Sequence, residues 1–273
     1  MHPPESKKLH RPKKSLGQNF LVSTAVAQSI VDLAECDGTD TIIEIGPGRG
    51  ILTRLLAPRV KHLVALEFDS RLTEHLKKTF EGQSNVEIIQ ADALSYPFEE
   101  IPKPFKVVAN LPYHISTPLL FRLLKERNRI SIMVLMFQRE VARRVVAVPG
   151  KKDYGSLSLS VQYQAAVRMP LRVSRKSFYP NPKVESAVVT LQPHPSPPIC
   201  LANEDLFFKM IRSVFQHRRK SIKNALKEGG FEEPAVSDAL LKSHLDPLRR
   251  PETLTLSEFG LLTDHLFFSL KKL

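Results

Sequence analysis

Cysteine is nearly missing from this chain: among 273 residues only Cys36 and Cys200 carry a thiol. Two distant thiols build no disulfide framework, which sets aside the disulfide-stapled secreted classes and fits a reducing, cytoplasmic compartment. Metal chemistry is short of donors too. The 9 histidines are scattered and form no ligand cluster with the thiols, so no metal is expected. No apolar run reaches the roughly 20 residues that a membrane helix needs, and no signal-peptide pattern opens the chain. Internal repeats and long low-complexity tracts are absent as well. Acids are the scarce charge, 28 against 40 Lys and Arg, for a net charge of +12. That balance points to a polyanionic partner, nucleic acid before membrane. From residue 196 onward 12 Lys and Arg face 10 acids, so +10 of the +12 lies in residues 1–195. The length suits one large or two modest domains with a sizeable core.

What is present centres on Asn110-Leu111-Pro112-Tyr113. It follows an apolar run, Phe105 to Ala109, that reads as a buried strand ending in a tight turn. The chemistry that needs such a tetrapeptide is methylation of an aromatic amine. The exocyclic amine of adenine is a poor nucleophile, because its lone pair is delocalised into the ring. An Asn oxygen and the next backbone carbonyl can both accept from that amine and turn its lone pair towards a methyl. Pro112 fixes its own φ and biases Leu111 to extended geometry, which helps aim the Leu111 carbonyl. Tyr113 offers a ring on which a purine can stack. An ordinary strand-end turn is the alternative at this point.

A second cluster precedes it. Thr41 to Ile45 reads as a buried strand running into Gly46-Pro47-Gly48-Arg49-Gly50, and Ile51 to Leu56 begin a helix. Glycines in such a turn let a ligand approach the backbone and let φ turn positive. A strand from His62 to Leu66 ends in Glu67, a carboxylate placed for both hydroxyls of a ribose. A third strand, Val86 to Ile89, is followed by Asp92, which can accept from an adenine amine. The glycines run G-x-G-x-G, not the G-x-G-x-x-G of a dinucleotide site. Glu44, Glu67 and Asp92 are expected to form an acidic pocket inside a basic protein. S-adenosylmethionine, which carries an ammonium and a sulfonium, fits that pocket better than NAD; a ligand-free turn is the third reading.

Residues 1–14 are basic and Pro-rich, and read as a flexible arm that either contacts phosphate or is a solvated tail. A helix begins near Ser23 or Thr24. After Tyr113, Ser116 and Thr117 are expected to cap a helix through Leu124; Ile130 to Phe137 reads as a strand and Gln138 to Val148 as a helix. Phe178-Tyr179-Pro180-Asn181-Pro182-Lys183 is expected as a rigid, basic, aromatic loop, with Phe178 as the second face of an adenine sandwich with Tyr113. His194 to Pro198 reads as a linker. Helical patterns follow, with Arg218, Arg219 and Lys220 as an RNA-facing patch or a solvated turn.

Assembled, the chain closely resembles the rRNA adenine dimethyltransferases of the kasugamycin-resistance family over about residues 13–273. The matching stretches are Leu16 to Leu21, Glu44 to Gly50, Glu67-Phe68-Asp69, Asp92-Ala93, Asn110 to Tyr113, Phe178 to Val184 and Phe215 to Lys220. Each is weak alone; together, in this order, they are specific. The resemblance implies an α/β protein: a Rossmann-like S-adenosylmethionine-dependent methyltransferase domain over 15–193, with a mostly parallel sheet, and a small all-helical C-terminal domain over 194–273. It implies that Asn19, Leu21, Gly46, Glu67, Asp92 and Asn110 line the cofactor site. It implies catalytic roles for Asn110, Leu111, Tyr113 and Phe178 on a flipped base, and RNA contacts from Lys13, Lys14, Lys183, Arg218, Arg219 and Lys220. The reaction implied is dimethylation of the 6-amino groups of two adjacent adenosines, in a hairpin near the 3′ end of small-subunit rRNA. The partner would be that rRNA in a pre-small ribosomal subunit, met by a cytoplasmic monomer. The family usually has Asn where this chain has His114. The alternatives are an RNA-binding ribosome assembly factor, a relative of the mitochondrial transcription factors, or a DNA adenine methyltransferase.

Overall fold

The computed structural model describes residues 12–13 and 17–271. Most of the 1–14 arm, Lys14 and the Ser15-Leu16 start of the first motif lie outside the described residues. The chain forms two compact units. One runs to Ala142 and resumes over Ala166–Pro193; the other takes Arg143–Ala165 and the chain from His194 onward.

The first unit begins with a short strand, β1 (Phe20–Leu21), and α1 (Thr24–Leu33), whose N-cap Ser23 accepts from the Val26 N–H. Then β2 (Thr41–Ile45), α2 (Ile51–Leu56), β3 (His62–Glu67), α3 (Ser70–Thr79), β4 (Val86–Gln90), β5 (Phe105–Asn110), α4 (Ser116–Lys125) and β6 (Ile130–Gln138) follow. The strands pair in parallel in the order β4-β3-β2-β5-β6. Their near-continuous apolar runs are what a parallel sheet requires, since both faces are covered. After α5 (Arg139–Val145) and α6 (Ser156–Gln162), β7 (Ala165–Val173), β8 (Phe178–Tyr179) and β9 (Ser186–Pro193) complete the strands. β9 pairs antiparallel with β6, and β7 ends the seven-stranded sheet. β8 pairs antiparallel with β1, setting Phe20 opposite Tyr179 and Leu21 opposite Phe178.

Strand order reverses between β2 and β5. In open α/β sheets the crevice outside the strand C-termini at that switch point is where ligands bind. Both sequence clusters end there, Gly46 after β2 and Asn110 at the end of β5.

One expected cap is corrected. The N-cap of α4 is Ile115, with no side-chain cap; the Ser116 hydroxyl instead donates back to the Tyr113 carbonyl. Ser116 thereby braces the turn that carries Tyr113.

The second unit holds α6 with α7 (Glu204–Gln216), α8 (Ile222–Glu228), α9 (Glu233–Lys242) and α10 (Leu256–Leu270). The sequence pattern had grouped residues 143–165 with the sheet. Their large apolar side chains, Tyr154, Leu159 and Tyr163, join a core made by Phe207, Ile211 and Phe259. The Tyr154 hydroxyl also donates to the buried Leu254 carbonyl, tying this segment to the start of α10.

α10 starts with a capping box: Thr255 accepts from the Glu258 N–H, and the Glu258 carboxylate accepts from the Thr255 N–H. Thr255→Ala should therefore lower stability by about 1 kcal/mol, read as a fall in Tm. An unchanged Tm would show that Arg249, which also holds Glu258, supports the helix start without the cap.

Candidate functional site

The pocket lies along the C-terminal ends of β4, β3, β2 and β5. Asn19, Leu21, Gly46, Glu67, Asp92, Asn110, Leu111 and Tyr113, all expected site residues, line it together. They come from stretches up to 94 positions apart in the sequence, and strand ends are what gather them.

The turn after β2 is shaped by glycine. Gly46, Gly48 and Gly50 have φ of 69°, 58° and 76°, which side chains avoid. A Cβ on Gly48 would stand 3.0 Å from Phe20 Cδ1, and one on Gly50 2.9 Å from Leu76 Cδ2. The bare turn leaves backbone open to a ligand and fixes where Glu67 can bond. Glu67 Oε2 accepts from the Gly48 N–H at 3.0 Å, and Oε1 from the Asp69 N–H at 2.9 Å. Glu67 is 6 % exposed. Burial pushes its pKa up, and those backbone donors pull it back. Each oxygen keeps a lone pair for a further donor, which is what two ribose hydroxyls require.

A strap of N-terminal residues crosses these strand ends. Asp69 is buried and accepts from Arg71, from Gln18 Nε2 at 3.1 Å and from Lys13 Nζ at 3.2 Å. Hydrogen bonding from Arg71, before the contributions of Gln18 and Lys13, holds its carboxyl far below the usual range. Lys13, expected to touch RNA phosphate, ion-pairs with Asp69 and anchors the strap. One residue further on, the Asn19 carbonyl accepts from Asn110 Nδ2 at 3.3 Å. That bond uses the donor end of the Asn110 amide and presents Oδ1 as its acceptor. The Leu111 N–H donates to the Met136 carbonyl on β6 at 3.3 Å, which fixes the peptide that joins Asn110 to Leu111. Tyr113 is pinned through its hydroxyl, 2.8 Å from Ser186 Oγ at the start of β9. His114 lines the pocket beside Gly17.

Several expectations change. Phe178 is 2 % exposed and sits in the core with Leu21, Val173 and Val188. It is not among the lining residues and offers no free ring face. In a two-residue strand, adjacent side chains point opposite ways; Tyr179 is the exposed one, at 56 %. Glu44 does not line the pocket either. It is 1 % exposed, and no hydrogen bond of ordinary geometry reaches its carboxyl oxygens. The acidic lining is Glu67 and Asp92. In the second unit, Arg218 pairs with Glu252 and Lys220 with Glu228, so two of the three expected cations are already partnered. Arg219 and Lys183 are exposed.

The structure also adds residues. Arg49, Phe68 and Gln18 line the pocket, and Ser186 positions Tyr113. Phe68 was visible as an apolar residue directly after the ribose-type acid. Ser186 carried no local signal, because its role depends on β9 returning beside β6.

These features fit S-adenosylmethionine: a glycine cradle, a held carboxylate, and a polar amide at the neighbouring strand end. Comparison with known proteins agrees. A family model for ribosomal RNA adenine dimethylase matches residues 9–259. Curated proteins named ribosomal RNA small subunit methyltransferase A match as well. That of Moorella thermoacetica is 44 % identical over 260 residues, covering 91 % of this chain and 90 % of the relative. That of Pelotomaculum thermopropionicum is 43 % identical, covering 93 % and 90 %. Among solved structures, a dimethyladenosine transferase from Plasmodium falciparum superposes with a TM-score of 0.76 at 29 % identity, covering 89 % of this chain and 95 % of that one. The 23S rRNA methyltransferase ErmE gives 0.72 at 26 %, covering 91 % and 100 %.

Glu44 generates a test of the pocket's foundation. Burial first, and the nearby Glu67 charge after the opposing pull of Thr53, raise its pKa to about 8. The folded value lies above the ~4.3 of an exposed Glu, so the stability due to its neutral form is complete below about pH 4 and is lost as pH climbs through about 8. The Tm advantage of Glu44→Gln over the natural protein should thus grow between pH 6 and 9, followed by thermal melts. Parallel curves would place the ionisation outside this range.

Proposed function

The chain belongs to the ribosomal RNA adenine dimethylase family, is an S-adenosylmethionine-dependent rRNA adenine dimethyltransferase, and from that premise we propose how its residues act and on what. The substrate is the small-subunit rRNA, two adjacent adenosines in a hairpin near its 3′ end, met within a pre-small ribosomal subunit. That assignment follows the relatives named for the small subunit. No described helix is long and apolar enough to cross a membrane. A substrate inside a pre-small ribosomal subunit favours an enzyme that works in the cytoplasm, and we take it to act as a monomer.

When bound, S-adenosylmethionine supplies an electrophilic methyl on a sulfonium. Glu67 would hold its ribose hydroxyls, Asp92 its adenine amine, and the Gly46 turn its closest backbone approach. Asn110 does the chemical positioning. Its Nδ2 is tied to Asn19, so Oδ1 is free to accept from the target adenine's amine. The Leu111 carbonyl, on the residue whose N–H is held by Met136 and whose geometry Pro112 biases to extended, accepts the second N–H. Two acceptors on one amine weaken its conjugation with the ring and turn the lone pair out of the ring plane. Neither acceptor removes a proton, so catalysis is polarisation and placement. Tyr113, its ring direction set by Ser186, stacks on the flipped base. The observation that carries this reading is the Asn19–Asn110 bond, which orients the catalytic amide.

Asn110→Ala should lower single-turnover methylation of small subunits by about 10²–10³, as for other lost positioned polar groups. Subunit binding should persist, because phosphate contacts dominate affinity. Tyr113→Ala should also weaken capture of the base, since stacking is worth ~1–3 kcal/mol. Near-normal turnover by Asn110→Ala in filter-binding-controlled assays would sink this mechanism.

A further inference from the structure

The strap that reaches Asn110 is clamped on both sides of Asn19. On one side, Phe20 and Leu21 pair with β8. On the other side stands Gln18, whose amide works in both directions. Its Nε2 donates to Asp69 Oδ2 at 3.1 Å, and its Oε1 accepts from the Lys13 N–H at 2.8 Å. Lys13 Nζ closes the loop on Asp69 Oδ1 at 3.2 Å. The Asp69 side chain is fully buried, and as the N-cap of α3 it also accepts from the Arg71 N–H. The strap thus hangs from a fixed point.

Asn19 reaches Asn110 through its backbone. Its side chain turns back, with Nδ2 donating to the Gly17 carbonyl at 3.0 Å, while its own carbonyl accepts from Asn110 Nδ2 at 3.3 Å. A backbone carbonyl goes where its chain neighbours put it, and here those are Gln18 and Phe20. Its place matters because an amide side chain has two ends of nearly equal shape. Turned by half a revolution, Asn110 would present Nδ2 where Oδ1 stands, a donor facing the N–H groups of the target amine. The Asn19 carbonyl tells the two orientations apart, since it bonds Nδ2 and would repel Oδ1.

We propose that Gln18 is a positioning residue for methyl transfer: by tying the strap to Asp69 it holds the Asn19 carbonyl against Asn110 and keeps Oδ1 aimed at the substrate amine. This rests on the reading of Asn110 as the amine acceptor. The position asks for a donor and an acceptor on one side chain, which an amide supplies. A Met of similar length cannot donate to Asp69.

Single-turnover methylation of small subunits at saturating cofactor reads the step. Gln18→Met should slow it about 3- to 10-fold, the weight of one neutral hydrogen bond. Gln18→Lys, which can still donate to Asp69, should recover part of that loss. Affinity for S-adenosylhomocysteine by titration calorimetry, and for small subunits by filter binding, should stay near the natural values. In the Asn110→Ala background, Gln18→Met should add less than about twofold, because no amide is left to orient. Equal slowing in both backgrounds would make Gln18 a structural part of the strap and overturn the proposal. Weakened S-adenosylhomocysteine with a normal rate at saturation would make it a cofactor contact, and would overturn the proposal too, as would an unchanged rate. If Asn110→Ala alone turns over normally, the acceptor reading fails and this proposal falls with it.

Discussion

Glu67 ends β3 with a buried carboxylate that accepts from the backbone of two different turns, Gly48 after β2 and Asp69 after β3. Much of the site depends on that arrangement. Charge-assisted hydrogen bonds of this kind are worth about 1.5–3 kcal/mol each, and they oppose in part the burial that raises the pKa of this acid. They fix the glycine turn relative to the neighbouring strand. They also leave the carboxylate facing the pocket with acceptor capacity in reserve. A rigid acceptor of this sort selects a ligand with paired hydroxyls, because ligand binding need not reorganise it.

Asp69 extends the same logic outward. Its side chain gathers Arg71, Gln18 and Lys13, and the strap that carries Gln18 delivers the Asn19 carbonyl to Asn110. The proposed cofactor acceptor at β3 and the proposed amine acceptor at β5 are thus joined by one chain of polar contacts. The strap passes through Phe20, the ring beneath Arg49. Tyr113 is set independently, by Ser186 and by the Ser116 brace. Acceptors are placed before any substrate arrives, which is how a weakly nucleophilic amine can be activated without a strong base.

The strands of the sheet were legible because parallel strands buried on both faces are nearly continuous apolar runs, as Leu63 to Leu66 are and as Ile42 to Ile45 are apart from Glu44. The pocket residues at their ends were legible because the chemistry dictates a glycine turn, an acid and an amide in that order. The same double burial hid Glu44: in a strand covered on both sides, alternation does not say which side chains reach the pocket. Phe178 and Tyr179 are neighbours of similar character, and only the pairing with β1 decides which is inside. The ion pair of Lys13 was not legible because its partner, Asp69, lies 56 residues away in sequence. The share of residues 143–165 in the helical core was invisible for a related reason, since the partners of Tyr154 and Tyr163, among them Phe207, Ile211 and Phe259, lie far along the sequence.

The central claim is that this pocket places the 6-amino group of a flipped adenine at Asn110. Its most direct measurement uses methyl-labelled S-adenosylmethionine and small subunits that lack the modification, followed by nucleoside mass spectrometry and mapping of the labelled positions. The proposed function predicts N6,N6-dimethyladenosine at two adjacent positions near the 3′ end of the rRNA, and no other labelled nucleoside. Label on a ring nitrogen, on a ribose hydroxyl or on a base other than adenine would contradict it.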